Sequence, residues 1–576
     1  MTRIFDDPAE FADDQLAGFL DLYADRVRGV HGGVVAHRGE QPQVAVVIGG
    51  GSGHYPAFCG TVGPGLATGA VVGNIFTSPS AAQAYSVGKA ADQGRGVIFS
   101  FGNYAGDVMN FGIAAERLRA EGIDARIVVV TDDVASAEEI GKRRGIAGDF
   151  TVFKAMGAAA AQGLGIDDVE RIGNAANDAT RTLGVAFSGC TMPGERDPLF
   201  TVPDGHLGLG LGIHGEPGIR DVEMLPAREL AALLVDDVLK NAPTGAGTRV
   251  GVILNGLGTT KYEELFLLWR HVAPRLRDAG YEIVDPEVGE LVTSLDMGGC
   301  SLTLMWLDDE LEPLWRADAY TPAYRKAAAP VAALREPTAD ELAEADAVVT
   351  APEAGEAGRR LAVSVRAALD AIAATIAEHE HDLGRIDAVA GDGDHGRGMV
   401  KGITAATARV AECGDDVGGG WLLQQAGQAW AERAGGTSGV LWGAALEALG
   451  RHLGDTAEAY PAADVAAGVR EFATTIQQLG RAEPGDKTLL DALLPFADDL
   501  ERRVGDGAEL ADAWAAAADV ATQRARETAD LRPRIGRARP LAEKSVGTPD
   551  AGATSMALVV TAVGRVLQNE NDEEHQ

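Results

Sequence analysis

The strongest limit on how this chain can fold comes from short apolar runs, several of which stop on glycine. VAVVIG (44–49), GVIFSF (96–101), ARIVVVT (125–131) and RVGVILN (249–255) are each long enough for one strand, and they alternate with segments of helical periodicity. Such alternation packs as α/β layers, so an α/β domain made of two lobes is expected over residues 1–332. Open α/β sheets take their ligands at the carboxyl ends of the strands. The glycine-rich loops that follow these runs are therefore where chemistry belongs.

The character changes near residue 333. Residues 333–357 are acidic and rich in Ala and Pro, without a strand signal, and read as an interdomain linker. From RRLAVSVRAALDAIAATIAEHE (359–380) to ATSMALVVTAVGRVLQ (553–568) the apolar spacing is helical throughout, which makes 358–568 an all-α domain. The last residues, 569–576, read as a solvated tail. No internal repeat is evident.

A length of 576 residues suits two or more cores, and a formal net charge of -35 argues against nucleic acid or an acidic membrane surface as partner. Any phosphate handled here must be met by metal ions, backbone amides or a few local cations. No apolar run of bilayer-crossing length stands out, and the start MTRIFDDPAEFADD lacks the pattern of a signal peptide. A cytoplasmic enzyme is expected. Cys59, Cys190, Cys300 and Cys413 lie too far apart for a zinc motif or a disulfide framework.

Three loops of the first domain carry titratable groups. IGGGSGHYPAF (48–58) places Gly51, Ser52 and Gly53 ahead of His54, with main-chain amides that can approach a small polar ligand closely. FGNYAGDVMNF (101–111) offers Asp107 near a helix start, and LGLGIHGEPGIR (209–220) sets His214 among glycines. Alone, each also fits a bland role as a turn histidine or a helix cap. Together they fit one cleft.

In the helical domain, IDAVAGDGDHGRGM (386–399) gathers Asp387, Asp392 and Asp394 without the spacing of an EF-hand, a set of hard oxygen ligands suited to Mg²⁺ shared with phosphates. AGGTSGVLWG, GRAEPGDKTLLDAL and SVGTPDAGATS each join small residues and hydroxyls at a predicted helix start, where amides attract anions. That combination describes a nucleotide-phosphate site.

GGGSGH, NYAGD, RGIAG, GLGIHGEPG, GDGDHG, GTSG, GDKTLLDAL and DAGATS occur in this order along the chain, and with them it resembles the single-chain, ATP-dependent dihydroxyacetone kinases. The resemblance implies an eight-helix up-and-down barrel for the second domain, ATP as phosphate donor and two Mg²⁺ ions. It implies that His214 adds to the carbonyl carbon of the ketose as a hemiaminal, that Asp107 accepts the proton of the attacking hydroxyl, and that His54 assists. Substrate would lie among Gly51, Ser52, Gly53, His54, Asp107 and His214. Asp387, Asp392 and Asp394 would hold the metal. His395, Gly396, Thr437, Ser438, Gly480, Thr488, Leu489, Arg537, Asp550, Ala551 and Gly552 would line the nucleotide. A homodimer is implied as well.

The chain departs from the resemblance around the substrate. Gly102 stands where many relatives have lysine, Tyr55 replaces a glutamate, Phe58 a histidine and Asn74 an aspartate. Loss of the lysine opens volume, which points to a ketose one carbon longer, D- or L-erythrulose, beside dihydroxyacetone. The alternatives are a phosphotransferase-system variant, a noncatalytic ketose-binding regulator, and a side activity that splits flavin dinucleotide to a cyclic flavin phosphate.

Overall fold

The computed structural model describes residues 2–327, 351–434, 436–535 and 542–574. The chain divides into two compact units, Met1–Glu336 and Pro337–Gln576. Most of the expected linker lies outside the described residues, and the first helix of the second unit starts at Glu356.

The first unit holds two six-stranded sheets. One is built from β1 (Val27–Val30), β2 (Gly33–Ala36), β3 (Ala45–Ser52), β4 (Gly69–Ile75), β5 (Val97–Gly102) and β6 (Ala125–Val130), in the order β1-β2-β4-β3-β5-β6. The four strands β4, β3, β5 and β6 run parallel. All of β5, and β3 up to Gly51, are buried, as strands covered by helices on both faces must be, and this explains their unbroken apolar text. From β3 the chain crosses to β4 on one side, and from β5 it crosses to β6 on the other. The switch point therefore falls between the carboxyl ends of β3 and β5, which carry the His54 and Asp107 loops.

The second sheet contains β7 (Thr180–Ser188), β8 (His206–Leu209), β9 (Arg220–Glu223), β10 (Arg249–Gly256), β11 (Glu282–Gly289) and β12 (Gly298–Trp306), ordered β11-β10-β12-β7-β8-β9. Only its β10-β11 pair is parallel. β8 and β9 form an antiparallel hairpin that closes on Leu209 opposite Arg220, so residues 210–219 form its loop. One helix, Asp149–Ala161, is buried from Asp149 to Ala160 and packs in the largest core cluster of the unit.

The second unit contains eight long helices among the described residues: Glu356–Asp387, His395–Glu412, Gly419–Ala434, Gly436–Leu453, Ala462–Gly480, Leu490–Gly505, Leu510–Glu527 and Ala551–Glu574. Each packs on the next, and the last packs on the first, which closes the ring expected of an up-and-down barrel. Its core is mostly Ala and Leu around two stacked indoles, Trp430 and Trp442, with centroids 5.1 Å apart.

Two expectations change here. The stretch 569–576 is helical as far as Glu574, because the last helix continues past its packed portion. The same helix over Ala551–Asp572 is long and apolar enough by composition to cross a membrane, at a mean hydropathy of 1.2, although no such run stood out in the sequence. Its Ala553, Met556, Ala557, Val559 and Val560 are buried in the barrel core, which accounts for the apolar text.

Candidate active site

In the first unit the loops after β3, β5 and β8 meet around a cavity of about 370 Å³. Gly51, His54, Asp107 and His214 line it. Ser52 and Gly53, expected with them, do not. Gly53 supplies a turn at φ 99° that directs His54 inward, and its Cα packs so close to the Phe76 ring that a Cβ would lie 2.8 Å from Cε1. The His214 loop is tied at its base, where Ile219 N donates to Leu209 O and Arg144 Nη2 donates to Gly210 O. Gly215 turns it at φ 83°, with no room for a Cβ against Phe200.

The two histidines are joined. His54 Nε2 lies 3.0 Å from His214 Nε2, His54 Nδ1 lies 2.7 Å from the Thr293 carbonyl, and His214 Nδ1 lies 2.9 Å from Glu216 Oε1. A carbonyl and a carboxylate only accept, so both Nδ1 atoms carry hydrogen. The Nε2 pair then needs one more proton between its nitrogens, and a cationic ring pair facing Glu216 completes the chain of hydrogen bonds. Burial, then the charge of His214, hold His54 at about 3. Burial works to raise Glu216, but the hydrogen bond and charge of His214 outweigh it and hold the carboxyl at about 2.

Asp107 sits in the first turn of the helix Ala105–Ala120, is 7% exposed, and makes no side-chain cap at the helix terminus. Its Oδ1 has no hydrogen-bond partner. Burial pushes its pKa up to about 6, against the opposing pull of Ser78 and His214. That value leaves it ionised at neutral pH and ready to take a proton.

Sequence reasoning missed Glu216, Thr293, Tyr104 and Asp149. The Tyr104 ring packs edge-on against His214 at 5.0 Å, and Asp149 lines the cavity wall. Burial, then the Asp132 and Asp107 carboxylates, push Asp149 well above the usual carboxylate range. Of the four departures noted around the substrate, Gly102 and Phe58 line the cavity, whereas Tyr55 is 43% exposed and, like Asn74, does not line it. The volume at Gly102 is not simply open. A Cβ there would lie 3.0 Å from Gly145 O and 3.1 Å from Tyr104 Cε2, so the glycine permits close packing of two loops.

In the second unit a cavity of about 650 Å³ is lined by Asp387, Asp392, Asp394, His395, Ser438, Gly480, Thr488, Leu489, Asp550, Ala551 and Gly552. Oxygens of Asp387, Asp392 and Asp394 lie within 4.8 Å of one another. Three carboxylate oxygens this close repel unless a cation joins them, and an all-oxygen set fits Mg²⁺. Gly393 N donates to Asp387 Oδ2 at 2.8 Å, fixing that carboxylate at the turn between two helices. Gly396 does not line the cavity. It seats its helix against the preceding one, where a Cβ would fall 2.0 Å from Glu380 O. The Thr437 side chain and Arg537 lie outside the described residues.

The cavity floor is held by residues the sequence did not single out for that task. Lys487 Nζ donates to the Ser545 and Leu531 carbonyls, and Asp491 Oδ2 accepts from Thr488 N at 2.8 Å. Asp550 Oδ1 accepts from Ala553 N at 2.7 Å and so caps the last helix, while burial raises its pKa to about 7. His395 Nε2 bonds Ser555 Oγ at 3.0 Å, and burial favours its neutral ring.

Comparison with known proteins places the two units among known domains. Residues 17–323 match the Dak1 domain and residues 389–565 the DAK2 domain. The chain is 60% identical to a D-erythrulose kinase of Mycolicibacterium smegmatis, covering 98% of each chain. It is 53% identical to an L-erythrulose kinase of Pectobacterium atrosepticum over 99% of this chain and 97% of that one. The fold matches the dihydroxyacetone kinase from C. freundii in complex with AMP-PNP and Mg2+, with a TM-score of 0.59 at 28% identity over 98% of this chain and 99% of that one. With both domains present in order and relatives this similar along their whole length, the chain belongs to the dihydroxyacetone kinase family.

Proposed function

We propose that this ATP-dependent ketose kinase acts on erythrulose, with D-erythrulose as its preferred substrate, and that His214 holds the ketose covalently while Asp107 activates its terminal hydroxyl. One observation carries the reading: the joined rings of His54 and His214, backed by Glu216, face the same cavity as Asp107, whose Oδ1 has no hydrogen-bond partner. The 60% identity to a named D-erythrulose kinase supports the choice of ketose.

Capture begins when the proton between the two Nε2 atoms lies on His54. The freed lone pair adds to the carbonyl carbon, the C=O π bond opens onto oxygen, and that oxygen takes the proton from His54. Charge is conserved, since the alkylated imidazole remains cationic and faces Glu216. A molecule as small as a triose or tetrose gains little from contacts alone, at most about 1.5 kcal/mol per heavy atom, so a covalent bond adds selectivity that glycerol cannot satisfy. Asp107 then takes the proton of the hydroxyl that attacks phosphorus.

Two Mg²⁺ ions held by Asp387, Asp392 and Asp394 would neutralise the charge of the ATP phosphates. Ser438, Thr488 and the Asp550–Gly552 turn would line the nucleotide, with Thr437 and Arg537 completing the set. A homodimer and a cytoplasmic location, where ATP is supplied, belong to the same reading.

The test is ADP release, coupled to a reporter, with MgATP and D-erythrulose, L-erythrulose, dihydroxyacetone or glycerol. D-Erythrulose is expected to give the highest kcat/KM and glycerol none. Turnover of glycerol, or retention of activity in His214→Ala, would sink the covalent reading. Light scattering should return twice the mass of the chain.

A further inference from the structure

Three buried side-chain atoms at the ketose cavity have no hydrogen-bond partner: Asp107 Oδ1, Tyr104 Oη and Asp149 Oδ1. Catalysis uses the first. The other two are unaccounted for, and buried polar atoms are seldom left unpaired in a folded protein. Asp149 is only 4% exposed and opens the buried helix Asp149–Ala161.

The backbone shapes a corner around these two groups. A Cβ on Gly145 would lie 2.4 Å from Gly102 Cα and 2.8 Å from Asp149 Oδ1, so the two glycine backbones touch and the carboxyl leans over them. Tyr104 flanks the same spot, 3.1 Å from where a Cβ on Gly102 would stand. A side chain at residue 102 would press on this corner, and the corner would have to give by a few tenths of an ångström.

A ketose fixed at C2 by His214, with one terminal hydroxyl at Asp107, has a single hydroxyl left if it is dihydroxyacetone and two if it is erythrulose. We propose that Asp149 and Tyr104 form the specificity corner that receives these remaining hydroxyls and so sets a four-carbon ketose above a three-carbon one. The inference deepens the erythrulose reading and rests on it. A carboxyl in its acid form both donates and accepts, which matches a hydroxyl, and burial beside other carboxylates favours that form. A site whose buried polar groups are left unpaired by the smaller sugar selects against it.

The experiment compares kcat/KM for D-erythrulose, L-erythrulose and dihydroxyacetone in the full-length wild type, Asp149→Asn, Asp149→Leu and Tyr104→Phe. Asp149→Leu should lower the ratio of erythrulose to dihydroxyacetone efficiency by about tenfold or more, the worth of a hydrogen bond to a buried polar group. Asp149→Asn, which keeps a donor and an acceptor, should retain most of the ratio, and Tyr104→Phe should lower it by a smaller factor. An unchanged ratio in both Asp149→Leu and Tyr104→Phe, whatever happens to total activity, would overturn the corner. Should Asp149→Leu fail to fold, Tyr104→Phe decides, since it removes one oxygen without altering shape. A wild type that prefers dihydroxyacetone or phosphorylates no ketose would overturn the erythrulose reading itself, a failure visible before any variant is made.

Discussion

The two cavities solve opposite problems. Around the ketose, His54 is 2% and Asp107 7% exposed, and the proton-bearing groups are linked to one another in advance. Around the nucleotide, Asp392 and Asp394 are exposed and Asp387 is half-buried. The proposed covalent capture needs a free nitrogen lone pair and little water; burial excludes the water, and the hydrogen bond between the rings gives the proton a place to go. The proposed charge neutralisation uses carboxylates close to solvent, where gathering three of them costs less than in a buried site. Burial is therefore a reagent in the first cavity, whereas in the second it is kept from Asp392 and Asp394 though not from Lys487 and Ser545.

The comparison can be broken most sharply at His214. His214→Ala should lower ketose phosphorylation by more than about a thousandfold while leaving MgATP binding, measured by calorimetry, unchanged. Asp107→Asn should reduce kcat by about 10²- to 10⁴-fold, the usual worth of a positioned base. Ketose binding should survive that change, and rapid-quench kinetics would separate the two. Asp394→Asn acts on the other cavity alone. It should raise the apparent Mg²⁺ and ATP requirement by about 10- to 100-fold with little change in the affinity for ketose.

Two smaller effects sharpen the contrast. Glu216→Gln removes the charge facing the cationic ring and should lower kcat/KM for ketose about tenfold, with no effect on ATP affinity. The pH profile gives the remaining test. Asp107, raised to about 6 by burial, must be ionised to act, so kcat/KM should fall as pH drops through about 6. The profile of Asp107→Asn should lose that limb.

The strand-ending loops and the aspartate trio were legible because their chemistry is local. His54, Asp107 and His214 each stand out from glycine-rich text, and Asp387, Asp392 and Asp394 lie within eight residues of one another. Thr293 was not legible. It meets His54 across a separation of 239 residues, in a segment with no unusual composition, and contributes a backbone carbonyl that any residue could supply. Asp149 was hidden for a different reason, since an acidic residue at a helix start is ordinary and only the fold shows it buried at a cavity wall. Gly53 and Gly396 carry a second constraint that their text did not separate from ligand approach: each packs closely on the protein itself, Gly53 on the Phe76 ring and Gly396, within its helix, on Glu380.

The hydrogen bond between the two Nε2 atoms has a consequence for life among reactive metabolites. In the resting protein the His214 nitrogen proposed to take the ketose is already engaged in a hydrogen bond with the neighbouring ring. A stray aldehyde meets a nitrogen already engaged by its neighbour. Only a molecule that settles deeply enough to accept the displaced proton on its own oxygen unmasks the nitrogen. Discrimination thus begins before any bond is made, and acylating agents such as diethyl pyrocarbonate should modify His214 more slowly than an exposed histidine such as His381.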